Sequence, residues 1–142
     1  MSYVRNWLHC VWGTKDRIPL ITSLNKSEIL SHILENAKSK GIFIGIINGH
    51  KEHIHCLLSL NPDQSLAKVI QLIKGESSFW INKNKLCKTR FEWASEYFAV
   101  SVSESQVEKV KAYILKQEEH HKKKSWEEEY NEFVKNYNFE KV

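Results

Sequence analysis

Blocks of branched and aromatic residues alternate along the chain with stretches whose apolar positions recur at helical spacing. Tyr3 to Thr14 is dense in Val, Leu and Trp and predicts a first strand. Asp16 to Ser23, with Pro19, reads as a connecting loop. Asn25 and Glu28 form a capping box ahead of a stripe of Ile29, Leu30, Ile33, Leu34 and Ala37, and Gly41 stands where a helix ends. Ile42 to Ile47 predicts a second strand, Asn48 to Glu52 a turn, and His53 to Leu60 a third strand closed by Asn61-Pro62. A second helix starts near Asp63 or Ser65, uses Leu66, Val69, Ile70 and Ile73, and frays after Gly75 or runs on to Ile81. The basic stretch Asn82 to Arg90 is irregular, and Tyr97 to Val102 predicts a fourth strand.

Ser103 or Ser105 caps a third helix reaching about His121, and Trp126, Tyr130, Phe133, Val134 and Tyr137 mark a C-terminal helix. The order β-α-β-β-α-β followed by two helices is α+β. It predicts a ferredoxin-like sandwich, an antiparallel sheet covered on one face by two helices. The second sheet face then needs cover from the extra helices or from a partner subunit. One domain over 1–142 is expected, with a core of about 3–102 and helices at about 104–122 and 126–138.

Composition narrows the function classes. With 142 residues, 42% of them hydrophobic and 27% charged, the chain can bury a core without staples. Cys10, Cys56 and Cys87 lack CxxC spacing, which disfavours a disulfide framework or a zinc ribbon. The longest apolar stretch, Ile42 to Ile47, is too short to span a membrane, and the N-terminus lacks a basic-then-apolar signal pattern, so a cytoplasmic location without a membrane partner is expected. The net charge of +4 hints only mildly at a polyanionic partner. Two Asp, Asp16 and Asp63, stand against fifteen Glu. Two-metal nucleases built on carboxylate clusters usually draw on Asp at strand ends, so phosphodiester chemistry here would need other ligands.

His53-Ile54-His55 supplies such ligands. Alternation along a strand points both imidazoles to one face, about 7 Å apart at Cα, where they can converge on one cation. The dipeptide pattern fits a pair of surface or half-buried histidines equally well. Tyr113 and Gln117 share a helix face beside the stripe of Val107, Val110 and Ile114. The plainer reading of Tyr113 is a residue shielding the core edge. Glu118-Glu119-His120-His121 can be read as metal ligands but reads mainly as a solvated helix end, with Lys122 to Lys124 suited to the negative end of the helix dipole. Lys68, Lys74, Lys83, Lys85, Lys88 and Arg90 are interleaved with Phe79, Trp80, Phe91 and Trp93. Such a pattern can bind phosphates and stack bases, although at least two of these four aromatics are expected in the core.

Taken together, Leu8 to Lys15, Asn48 to Ser59 with the two histidines, Leu72 to Trp80, Phe98 to Ser103 and Tyr113 to His121 resemble the single-tyrosine HUH transposases of the insertion-sequence 200/605 kind over nearly the whole chain. The resemblance implies Tyr113 as nucleophile and His53, His55 and Gln117 as ligands of a divalent metal ion, Mg²⁺ or Mn²⁺. It implies cutting and rejoining of single-stranded DNA with hairpins at transposon ends through a 5′-phosphotyrosine. Lys74, Lys83, Lys85, Lys88 and Arg90 are the expected DNA contacts. It further implies a homodimer in which each site takes its histidines from one chain and its tyrosine helix from the other. Two positions depart from the family pattern: Glu96-Tyr97-Phe98 replaces a glycine-flanked tyrosine, and Lys116 stands where Asn is expected. The competing reading is a non-catalytic module of the same fold that binds single-stranded nucleic acid; a small metal-dependent hydrolase is a third.

Overall fold

The computed structural model describes residues 2–117, 125, 127–129, 131 and 132. Its elements are β1 (Trp7–Gly13), α1 (Lys26–Ser39), β2 (Phe43–His50), β3 (His53–Ser59), α2 (Leu66–Lys83), β4 (Phe98–Val102) and α3 (Val107–Leu115), with short 3-10 turns at Lys15–Arg17 and Glu104–Gln106. The four strands lie in the order β2-β3-β1-β4, and every neighbouring pair is antiparallel. This is the predicted ferredoxin-like α+β sandwich.

Strand alternation sorts the sheet into two faces. Cys10, Trp12, Ile54, Cys56 and Leu58 pack with Ile29, Ile33, Val69, Ile70 and Ile73 of α1 and α2 in the larger core. Each Ile, Leu or Val side chain among them, once buried, contributes about 1.5–3 kcal/mol. The opposite face presents His53, His55 and Leu57 beside Trp7 and His9, since the register sets His9 against Leu57 and Val11 against His55. Here α3 closes a smaller core in which Val107 and Ile114 meet Trp7 and Leu57. The second face is thus covered, over this stretch, by the chain's own third helix.

Several local expectations change. Asn25 begins α1 but its side chain makes no cap bond. Its amide instead ties loops together, accepting from the Thr22 backbone and donating to the carbonyls of Leu20 and Leu86. Ser65 does cap α2, accepting from the Lys68 backbone N–H, and the helix runs unbroken past Gly75 to Lys83. Asn48 and Gly49 belong to β2, not to a turn, so the hairpin is tight and reverses at Lys51 and Glu52. Leu34 lies outside the expected stripe and is exposed. Of the four aromatics, Phe91 is buried, Trp80 and Trp93 pack partly buried against the core, and Phe79 is exposed. Helix α3 proper ends at Leu115 and is preceded by a 3-10 turn in place of a serine cap. Residues 118–124, which include His120 and His121, lie outside the described residues, as do Trp126, Tyr130, Phe133, Val134 and Tyr137. Residues 127–129, 131 and 132 are helical. No helix among the described residues is long and apolar enough to cross a membrane.

Gly49 of β2 has no room for a side chain against β3. A Cβ there would lie 2.7 Å from the backbone oxygen of His53 and 3.1 Å from Ile54 Cγ1. The His53 backbone cannot yield without moving the strand that carries the histidines, and the Ile54 side chain is wholly buried. Gly49→Ala is expected to lower stability by about 1–3 kcal/mol, measured as a shift in the urea unfolding midpoint. An unchanged midpoint would mean that the hairpin relaxes freely.

Candidate metal and nucleophile site

On β3, His53 and His55 are both wholly buried, which excludes the surface-pair alternative. Their rings meet edge-on with centroids 5.1 Å apart. Each has a polar group behind it. His55 Nδ1 lies 2.8 Å from Nε2 of His9, a buried residue of β1, and Glu52 Oε1 lies 3.4 Å from His53 Nδ1. Groups placed behind imidazoles fix the tautomer and leave the other nitrogen facing the site. Burial, then the neighbouring His55, lowers the pKa of His9 to about 3, against an opposing pull from Glu129. The Nε2 of a neutral His9 can accept a hydrogen bond from His55 Nδ1–H, leaving His55 Nε2 directed inward.

Helix α3 delivers the other predicted residues. Asn48 of β2 donates from Nδ2 to the carbonyls of Ile114 and Leu115 at 2.9 and 3.2 Å, gripping the helix just before Gln117. The last carbonyls of a helix have no partners within it, so this side chain satisfies them and fixes the helix end. Gln117 is wholly buried, with Oε1 3.3 Å from His53 Nε2. The Tyr113 ring lies against those of His55 and His9, with centroids 5.6 and 6.0 Å away. Tyr113, Gln117, His53 and His55 therefore meet within one chain.

Glu129 joins them. The Tyr113 hydroxyl donates to its Oε1. That same oxygen is 3.1 Å from His55 Nε2, while Oε2 is 3.7 Å from His53 Nε2. Burial first, then the hydrogen bond to Glu129 and its charge, push the Tyr113 phenol well above its ordinary value. His53, His55 and Glu129 each offer a ligand atom, all within 4.8 Å of one another, and can bind a metal ion. Two imidazole nitrogens with carboxylate and amide oxygens suit Mn²⁺, which tolerates nitrogen ligands better than Mg²⁺, an ion that favours a shell of oxygens.

The chain matches the family model described as "Transposase IS200 like" over residues 2–117. It belongs to the IS200-like transposase family. Membership makes it a DNA-processing enzyme by family. Solved structures share the fold, among them the following two. One is a candidate transposase from Deinococcus radiodurans R1, at 20% identity and a TM-score of 0.66, with 82% of this chain and 95% of that chain covered. The other is a REP-associated tyrosine transposase bound to a REP hairpin, at 16% identity and a TM-score of 0.64, with 85% and 72% covered. No curated protein matches the chain.

The expected DNA contacts of this IS200-like chain do not gather in one place. Lys74, Lys83 and Arg90 line an open cleft of about 1310 Å³ together with Lys15, Arg17 and Phe79. Lys85 and Lys88 are not among its lining residues. Lys74 is half-buried, which lowers its pKa despite Glu96, and its ammonium donates to the carbonyls of Ala94 and Glu96. It clamps the loop before β4. Arg90 and Lys15 both pair with Glu92, at 3.1 and 3.2 Å.

Sequence reasoning passed over His9, Asn48, Glu52 and Glu129 as parts of the site. For Glu129 a signal was present: it falls three residues after Trp126 and four before Phe133, so at helical period a carboxylate stands on the apolar stripe itself.

The state of His9 has a measurable consequence. Its folded pKa lies below the unfolded 6.5, so the unfolded chain takes up the proton first as pH falls. The stability of chelator-treated protein should therefore drop from pH 6.5 down to about 3, with a slope from this residue of at most ~1.4 kcal/mol per pH unit. His9→Gln should flatten that slope in urea titrations. An identical slope in the variant would place the cost elsewhere.

Proposed function

We propose that the chain cuts and rejoins single-stranded DNA at transposon ends by transesterification on Tyr113, with His53, His55, Gln117 and Glu129 holding one divalent metal ion, Mg²⁺ or Mn²⁺. The observation that carries this reading is the meeting of a phenol with two buried imidazoles in a chain of the IS200-like family. The Tyr113 oxygen attacks the scissile phosphorus, the bond to the 3′ oxygen breaks, and a 5′-phosphotyrosine and a 3′-hydroxyl result. One phosphodiester replaces another, so resealing needs no ATP. A phenol of pKa about 10 is a weak nucleophile at neutral pH, and burial beside Glu129 makes Tyr113 weaker still. A bound divalent cation supplies Lewis-acid stabilisation of the charge that builds on the phosphate oxygens. His9 and Glu52 keep both imidazoles aimed inward, and Asn48 keeps Tyr113 and Gln117 in register with them.

The DNA is proposed to run along the cleft, with Lys83 and Arg90 joined by Lys15 and Arg17 at its phosphates and the exposed Phe79 available for stacking. Lys85 and Lys88 extend the basic surface beside it, and Lys74 acts through the loop it clamps. A hairpin substrate is proposed by analogy with the neighbour bound to a REP hairpin. A homodimer is part of the proposal and is read by light scattering at micromolar concentration; a monomer there would confine the site to one chain, within which Tyr113, Gln117, His53 and His55 already meet.

Labelled single-stranded transposon-end DNA mixed with wild-type protein and Mn²⁺ should give a covalent adduct that is absent in Tyr113→Phe. Binding without any adduct would favour the non-catalytic module. Turnover surviving in Tyr113→Phe without an adduct would favour a hydrolase. His55→Ala should lose cleavage by about 100-fold or more while keeping most hairpin binding, compared by gel shift. Equal loss of both would contradict the separation of metal from affinity.

A further inference from the structure

The carboxylate of Glu129 faces two ways. Toward the strand it meets His55 Nε2 at 3.1 Å and His53 Nε2 at 3.7 Å. Toward α3 it accepts the hydroxyl of Tyr113 through the same Oε1 that lies nearest His55. Glu129 is itself buried, 4% exposed, so water offers its charge little alternative. Gln117, the ligand that the family resemblance implies, brings an amide oxygen without a formal charge. Among the described residues in the group able to hold a metal, Glu129 alone is an anion.

We propose that Glu129 is the anionic ligand of the metal centre and that it couples metal binding to release of Tyr113. This rests on the metal-site reading given above. A cation drawn to Glu129 takes electron density from the oxygen on which the phenol depends. The hydrogen bond from Tyr113 is then weakened, and the hydroxyl is free to turn from the carboxylate toward a phosphate. Linkage is reciprocal in binding, so the Tyr113 hydroxyl must in turn weaken metal binding. The coupling runs through one oxygen atom and needs no change of fold. It also gives a reason for a nucleophile to rest against a carboxylate, where its attack is otherwise disfavoured: the phenol is held back until the metal arrives.

The test uses Mn²⁺ alone, without DNA, on the full chain, with bound and free ion separated by electron paramagnetic resonance. Glu129→Gln should weaken Mn²⁺ binding about tenfold or more, a loss of the size seen when partners of a metal site are removed. Tyr113→Phe should bind Mn²⁺ about three- to tenfold more tightly than wild type, because the carboxylate no longer serves the phenol. In the double variant the gain from Tyr113→Phe should vanish, as the cycle requires when two residues act through one contact. Glu129→Asp, which keeps the charge, should restore part of the affinity, and circular dichroism identifies any variant that is misfolded. Wild-type affinity in Glu129→Gln would overturn the ligand assignment. Unchanged or weaker binding in Tyr113→Phe, or the same gain in the Glu129→Gln background, would overturn the coupling. Absence of Mn²⁺ binding by the wild type would sink the metal site itself, whereas absence of a DNA adduct would bear on the transesterification reading and leave these affinities intact.

Discussion

The period of two along β3 governs the molecule. Ile54, Cys56 and Leu58 turn into the helix-covered core, which places His53, His55 and Leu57 on the other face. A slip of one residue would drive two imidazoles into hydrocarbon and three apolar side chains toward Tyr113. The hydrophobic core therefore holds the register of the chemistry, and the tight approach of Gly49 to the His53 backbone removes the slack that would allow a slip.

Polar groups on the histidine face are costly to bury, and the structure offsets that cost by pairing them. His9 stands behind His55 and Glu52 beside His53, while Gln117 and Glu129 close the front. In a medium of low dielectric such contacts are strong when complete and expensive when broken. This explains why four segments distant in sequence, near residues 9, 53, 117 and 129, must fold together before the site exists. The phenol belongs to the same network, so its chemistry answers to the charge state of its neighbours.

Much of this was legible in the chain. Alternation in His53-Ile54-His55 placed the two rings on one face, and four-residue spacing placed Tyr113 and Gln117 on another, because both rules depend only on backbone periodicity. The β-α-β-β-α-β order followed from blocks of apolar residues. Long-range partners carried no such local signature. Asn48 looked like a turn residue because Asn-Gly usually is one, yet pairing with β3 kept it in a strand and sent its amide to α3. His9 lay in an apolar strand whose register with His55 becomes visible only once β1 and β3 are paired. Lys74 looked like a phosphate contact, but its ammonium reaches carbonyls of its own chain.

The grip of Asn48 on the end of α3 bears on how two copies could trade parts. The socket that receives the helix is built from β2 and β3, with Asn48 supplying the latch. A second copy presents the identical socket, so a helix crossing over would recover the same latch and the same apolar contacts. An exchanged helix would thus meet the contacts it makes at home, and the short connection at residues 103–106 would limit how far it can reach.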